Sequence, residues 1–317
     1  MLPPISLGTW QNFGDGSDIE TCRAILRRAF DRGVTHFDLA NMYGPPPGSA
    51  EKNVGRILRE DFAGMRDELI LSTKAGYEMW PGPYGLGASR KHIVNSLDQS
   101  LKRLGTDYID IYYAHRPWPQ TPMYETARAL ADVVKQGKAL YVGVSSYSPK
   151  RTREMFELLD REGVRLLINQ PSYSMLNRHI EAELLDTLHE LRMGCIGFSA
   201  LAQGLLTNKY LDRRPQDNEL RRDSFKKEFL SNENIKNIRG LNEIAKSRGQ
   251  SLAQMAIAWV LRDSRVTSAL IGARNVAQLG ESLDALKNLS FTAEELSEID
   301  QFAKEGGVDL WRETSEL

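Results

Sequence analysis

Short apolar runs alternate with longer segments whose apolar residues recur at helical spacing, and the alternation repeats eight times. Ile5-Ser6-Leu7 precedes a stretch with Ile19, Cys22, Ile25 and Ala29 on one face, and His36-Phe37-Asp38 precedes Val54 to Leu58. Leu69 to Lys74 leads to a stripe of Ile93, Leu97, Leu101 and Leu104, and Ile109 to Tyr113 leads to Leu130, Val133 and Val134. Leu140 to Val144 comes before Met155 and Leu159, and Leu166-Leu167-Ile168 before Leu184, Leu185, Leu188 and Leu191. Cys195 to Phe198 is followed by two helical stretches, Ile235 to Ile244 and Met255 to Leu261. Ala269-Leu270-Ile271 precedes Leu279 and Leu283.

Apolar strands that each run into a helix predict parallel pairing with both faces covered. Eight such units predict an α/β fold, a single (β/α)8 TIM barrel over residues 1–317 with its active site on the C-terminal rim. A doubly wound open sheet is the alternative. Seven strands end in a polar or backbone-exposing residue: Asp38, Lys74, His115, Ser145, Gln170, Ser199 and Gly272. Any one of these is an ordinary strand end. A whole ring of them, on the rim where barrels bind ligands, calls for partners or a ligand. The Gly/Pro-rich segments Gly44 to Gly48 and Pro81 to Gly87 fall where rim loops belong. The charge-dense stretch Asp212 to Glu233 reads as a solvated insertion after the seventh strand, with a lid over the rim as the functional option.

Charge narrows the partners. Lys+Arg 41 against Asp+Glu 42 leaves no bulk field for nucleic acid or an anionic membrane surface. No apolar run approaches the roughly 18 residues of a membrane span. Met1-Leu2-Pro3-Pro4 lacks the basic and apolar regions of a secretory signal, so a cytoplasmic enzyme is expected. Cys22 and Cys195 read as reduced core thiols. The five histidines are scattered, and His189-Glu190 has no second histidine at zinc-site spacing, so no metal is expected. Gly143-x-Ser145 and Gly197-x-Ser199 lack the second glycine of a nucleophile elbow.

The ionisable rim residues are Asp38, Tyr43, Lys74 and His115. A phenol titrates near pH 10, too high for easy proton exchange; an adjacent ammonium lowers that value, and a carboxylate holds the ammonium in place. Such a set suits proton donation to an oxygen becoming an alkoxide, with a histidine orienting the carbonyl. Taken singly, the same residues read as a strand-end salt bridge, a packed ring and a surface tyrosine.

The segment Phe37-Asp38-Leu39-Ala40-Asn41-Met42-Tyr43-Gly44 closely resembles the second-strand signature of the aldo-keto reductases. Leu71-Ser72-Thr73-Lys74 resembles their lysine strand and Ile111-Tyr112-Tyr113-Ala114-His115 their histidine strand. Tyr141 to Ser145, Asn169-Gln170-Pro171 and Leu201 to Leu206 continue the likeness in order, over essentially the whole chain. Asn41 to Glu51, Tyr77 to Gly85 and Gly137 to Ser148 are most similar to the branch holding bacterial L-glyceraldehyde 3-phosphate reductases and potassium-channel β subunits. Many channel subunits carry asparagine where this chain has His115, which favours a working reductase over a cofactor-sensing subunit.

The resemblance implies NADPH bound across the rim without a Rossmann domain; Gly85-x-Gly87, followed by Ser89-Arg90, lacks the third glycine of that fingerprint. It implies Tyr43 as proton donor, Lys74 and Asp38 behind it, and His115 at the carbonyl of a small aldehyde. Thr9 and Trp10 would border cofactor and substrate; Ser145 and Gln170 would hold the carboxamide, with Phe198 or Tyr173 stacked on nicotinamide. Ser199, Leu201, Gln203, Gly204 and Lys209 would form the pyrophosphate loop, and Gly272, Arg274, Gln278, Glu281 and Ser282 the adenosine end. Arg274 would meet a 2′-phosphate. Trp10, Trp80, Tyr84 and Trp118 are candidate substrate walls, and Arg116 a candidate for a substrate phosphate. Ala200 and Ser282 stand where relatives mostly have proline and asparagine, and the N-terminal hairpin usual in relatives is not expected. A homo-oligomer, tetramer or octamer, is implied by the same likeness.

Overall fold

The computed structural model describes residues 2–211 and 225–315. Eight strands, β1 (Ile5–Gly8), β2 (His36–Asp38), β3 (Ile70–Ala75), β4 (Ile109–Ala114), β5 (Ala139–Ser145), β6 (Leu166–Gln170), β7 (Gly194–Gly197) and β8 (Ser268–Ile271), close into a barrel in chain order. Every neighbouring pair is parallel, and β8 meets β1 through Ile5↔Ala269 to Leu7↔Ile271. The helices between them are α1 (Ile19–Asp31), α2 (Ser49–Asp61), α3 (Arg90–Leu104), α4 (Met123–Lys135), α5 (Pro149–Arg161) and α6 (Leu184–Glu190). After β7 come α7 (Asn232–Ser247) and α8 (Leu252–Val260); after β8 come α9 (Val276–Leu283), α10 (Ala293–Phe302) and α11 (Arg312–Ser315).

Local chemistry sets the helix ends. Asp18 accepts from the Thr21 amide and Ser89 from the His92 amide, each occupying an orphan donor at a helix start. Gly105 ends α3 at φ 70°, a left-handed conformation that a side chain disfavours. Ser251 with Gln254, and Thr292 with Glu295, form reciprocal capping boxes on α8 and α10.

Strand residues alternate between two cores. Outward positions such as Ile5, Leu7, Phe37, Leu71, Tyr112 and Val142 pack under the helices. Inside the barrel Ile111, Tyr113, Ile168 and Ile196 form a separate apolar cluster, with Leu2, Ile70, Leu167 and Leu270 against it. Gly143 faces that cluster because there is no room for more: a β-carbon there would lie 2.6 Å from the Tyr113 ring.

The observed strands differ from the sequence expectation by a residue or two at their ends. β6 runs on to Gln170 and β7 stops at Gly197, which leaves Phe198 on the rim. Helices α10 and α11 lie beyond the strand–helix alternation and were not expected. α10 packs where Gly240 of α7 leaves space, since a β-carbon at Gly240 would sit 2.5 Å from the Phe302 ring. The tail then returns to the rim, where the Ser148 amide donates to the Ser315 carbonyl at 3.2 Å. Of the stretch considered as a lid, residues 212–224 lie outside the described residues. Its remainder includes Phe225, stacked on Tyr210 with ring centres 5.5 Å apart. Both cysteines are buried and unbridged, and burial pushes their thiols up to about 11 at Cys22 and about 12 at Cys195. Among the described residues no helix is long and apolar enough to cross a membrane.

Candidate active site

A cavity of about 720 Å³ opens at the C-terminal ends of the strands, and Asp38, Tyr43 and His115 line it. Lys74 lies just behind the wall. Its ammonium, fully buried, donates to Asp38 Oδ2 at 2.5 Å and to the Leu39 carbonyl at 2.8 Å, and it stands 3.4 Å from the Tyr43 hydroxyl. Strands β2 and β3 hold this pair in register, with Asp38 opposite Ser72. The loop after β2 turns back at once, the Tyr43 amide donating to the Ala40 carbonyl, so the phenol swings over the end of β3. His115 follows β4, its amide tied to Ala75 at 2.9 Å. Its ring meets Tyr43 edge-on at 5.9 Å and Tyr77 at 4.7 Å between centres. Asp38 Oδ1 also accepts from Ser72 Oγ at 2.7 Å and Gln170 Nε2 at 3.1 Å, and the Thr9 hydroxyl donates to the Asp38 carbonyl at 3.1 Å.

Burial decides the protonation states. It drives the Tyr43 phenol well above its ordinary value, with Asp38 and Tyr77 adding to the rise. The expected acidification of Tyr43 by Lys74 is therefore outweighed, because Asp38 balances the ammonium at contact distance while the half-buried phenol is partly removed from water. Burial also lowers Lys74, opposed chiefly by Asp38. His115 is held well below the usual imidazole range by burial and then by Lys74 and Arg116, and its Nδ1 is buried without a partner. At neutral pH the site presents a protonated phenol, an ion pair behind it and a neutral imidazole.

The rest of the cavity wall comes from segments that follow the strand ends. Ser145 and Gln170 sit at the ends of β5 and β6, with Ser145 Oγ donating to the Gln170 carbonyl at 2.9 Å. Phe198, Ser199, Leu201, Gln203, Gly204 and Lys209 follow β7 along one side; Trp10 and Gly272 face the same space. Tyr173 is fully buried and off the wall. Arg274, Gln278, Glu281 and Ser282 line the far end, where Asn275 caps α9 and Gln278 Oε1 accepts from the Arg274 amide at 2.9 Å. Six non-glycine residues among those described have positive φ, and four of them, Gln11, Ser146, Ser199 and Gln203, line this cavity. Backbone strain of that kind concentrates where a binding surface is shaped.

Thr9 is buried beneath the wall, and Trp80, Tyr84 and Arg116 are not on it. Trp80 packs on His92 at 5.3 Å, and Tyr84 is 53% exposed. Arg116 lies over the Tyr77 ring at 4.1 Å and the Trp118 ring at 4.8 Å. Sequence reasoning missed Met42, Tyr77, Tyr210, Phe225 and Trp311, all on the wall. Trp311 reaches it from the C-terminal tail, edge-on to Phe198 at 4.9 Å and to Trp10 at 6.4 Å. Tyr77 had a usable signal, an aromatic two residues past the end of β3; Trp311 had none.

Residues 4–304 match the model of the aldo/keto reductase family. The chain is 58% identical to a protein named L-glyceraldehyde 3-phosphate reductase from Escherichia coli O157:H7, over 99% of this chain and 93% of that one. It is 37% identical to a probable voltage-gated potassium channel subunit beta from Oryza sativa subsp. japonica, over 89% of this chain and 87% of the other. A solved thermostable aldo-keto reductase, in complex with the inhibitor epalrestat, superposes with a TM-score of 0.75 at 28% identity, covering 95% of each chain. With its closed barrel and its Asp38–Lys74–Tyr43–His115 cluster, this chain belongs to the aldo/keto reductase family, a family of oxidoreductases.

Proposed function

We propose that the protein reduces small aldehydes to alcohols with NADPH, glyceraldehyde 3-phosphate among them, and that Tyr43 gives the proton. The observation that carries this reading is the Tyr43 hydroxyl on the cavity wall, 3.4 Å from an ammonium anchored by Asp38, with the His115 ring alongside. A dinucleotide suits the remaining donors. Ser145 and Gln170 match a carboxamide, the strained backbone at Ser199 and Gln203 together with Lys209 matches phosphates, and Arg274 near the start of α9 matches a 2′-phosphate. The phosphorylated substrate is suggested by the relatives' name.

When bound, NADPH supplies the hydride that adds to the carbonyl carbon. Tyr43 donates its proton to the carbonyl oxygen as negative charge develops there, completing the alcohol. Lys74 then faces the phenolate left behind, and Asp38 keeps the ammonium in place. His115, neutral, hydrogen-bonds the same oxygen and aligns it. We also propose self-association, on the family likeness alone, which light scattering decides.

The test follows nicotinamide absorbance with NADPH and a panel of aldehydes. Tyr43→Phe should lower kcat about 10²- to 10⁴-fold and leave the NADPH Kd within about threefold. Tight NADPH binding with equal, negligible rates for both proteins would favour the channel-subunit reading instead.

A further inference from the structure

Four adjacent strands each place one fully buried polar side chain inside the barrel, directly below the ion pair: Ser268 on β8, Ser6 on β1, His36 on β2 and Ser72 on β3. They form one hydrogen-bonded chain. Ser268 Oγ is 2.7 Å from Ser6 Oγ, Ser6 Oγ is 2.8 Å from His36 Nδ1, and His36 Nε2 is 2.9 Å from Ser72 Oγ. Ser72 Oγ ends the chain at Asp38 Oδ1, 2.7 Å away. The distances alone leave the direction of each bond open, but the terminus fixes them all. A carboxylate only accepts, so Ser72 spends its single proton on Asp38 and must accept from His36. The proton of His36 is then on Nε2, leaving Nδ1 an acceptor for Ser6, which in turn accepts from Ser268.

We infer that His36 is a positioning residue for proton donation: in its Nε2–H tautomer it locks the Ser72 hydroxyl onto Asp38 and so fixes the carboxylate that anchors Lys74 beneath Tyr43. Every donor in the chain points toward Asp38, and the dipoles of these fully buried groups reinforce one another. The charged groups bearing on His36 are Asp38 and Lys74, whose influences oppose, while burial holds the imidazole down at about 4, so it stays neutral and keeps the lone pair the chain requires. Gln170 also donates to Asp38 Oδ1, at 3.1 Å. Without His36, the Ser72 hydroxyl still has Asp38 as its acceptor but loses the donor that pins its own oxygen, so the shorter of the two neutral bonds to Asp38 Oδ1 is weakened and freer to turn.

This assignment rests on Tyr43 as the proton donor, and two measurements separate the ideas. Nitrogen-15 spectra of histidine-labelled wild-type protein need no turnover; the His36 signal is the one missing in His36→Gln. A proton on Nε2 is expected, and a proton on Nδ1 would overturn the donor order. In aldehyde reduction, His36→Phe should lower kcat about tenfold with the aldehyde KM and the NADPH Kd nearly unchanged. Glutamine carries an amide N–H at a reach similar to Nε2, so His36→Gln should recover to within about threefold of wild type. Ser72→Ala should lose about as much as His36→Phe, and the double variant no more than either. An unaffected Phe variant, equal losses in the Phe and Gln variants, or additive losses would each overturn the inference. A wild type inactive on every aldehyde would instead defeat the reductase reading, and the spectra would still decide the order of donors.

Discussion

Asp38→Asn removes a charge while keeping the shape, and it tests the ion pair on which the site depends. Both partners are fully buried and 2.5 Å apart. At an effective dielectric of about 20 their attraction is roughly 7 kcal/mol, set against several kcal/mol per ion for leaving water. Removing one partner strands the other, so the variant should be about 3–5 kcal/mol less stable at neutral pH. The pH dependence gives the sharper signature. Lys74 is already lowered by burial, and Asp38 is the largest influence holding it up. Without Asp38 its folded pKa falls further below the unfolded value of about 10.4. Between those two values the unfolded chain binds a proton that the folded chain does not, so the variant's stability rises with pH, by up to about 1.4 kcal/mol per unit. Urea unfolding of both proteins, followed by circular dichroism at a series of pH values, reads the offset directly. It should be widest near neutrality and narrow as the solution becomes alkaline. A loss below about 1 kcal/mol, or an offset that stays constant across that range, would show that the pair is not buried and charged as argued.

Other outcomes follow from the same geometry. Burial holds His115 well below the ordinary imidazole value, so kcat/KM for reduction should show no histidine limb at about pH 6.5, where a free imidazole titrates; a limb there that disappears in His115→Asn would contradict that shift. Because burial raises Tyr43, the alkaline loss of reduction should fall above the ordinary phenol value rather than below it, as a pH–rate profile would show. Arg274→Ala should weaken NADPH binding by about tenfold or more and barely change NADH binding, by fluorescence titration. Gly143→Ala should cost about 1–3 kcal/mol in urea unfolding, because its methyl group would meet the Tyr113 ring and Ile168.

The barrel was readable because its strands are buried on both faces and its polar residues gather at one end. Asp38, His115, Ser145, Gln170, Ser199 and Gly272, marked out as strand ends, line the cavity, and Lys74 lies directly behind it. What escaped was whatever depends on closure or on chain remote from the alternation. Trp311 belongs to a tail with no strand–helix period, and only folding brings it against Phe198. His36 in sequence is one of five scattered histidines, since Ser6 and Ser72 become its neighbours only when β1 and β3 pair with β2, and Ser268 joins the chain only when β8 closes on β1. The sign of the Tyr43 shift was also hidden: spacing suggests that a lysine is near, but not that the phenol is partly removed from water and the lysine's charge already balanced by Asp38.

The barrel interior is divided, and the division accounts for where the ion pair sits. Strands β4, β6 and β7 supply the apolar cluster of Ile111, Tyr113, Ile168 and Ile196, whereas β8, β1, β2 and β3 supply the serine–histidine chain. An ion pair set into a wholly apolar barrel would leave carboxylate lone pairs without donors, each costing about 1–3 kcal/mol. Here Asp38 receives Lys74 on one oxygen and Ser72 and Gln170 on the other, and the ammonium lies 5.6 Å from the centre of the Tyr113 ring on the apolar side. The polar half thus supplies directed donors, and the apolar half supplies close packing that limits their freedom to turn away. Exchanging the halves would keep the volume of the core and lose the orientation of the pair, because orientation comes from the bonds and not from the space they occupy.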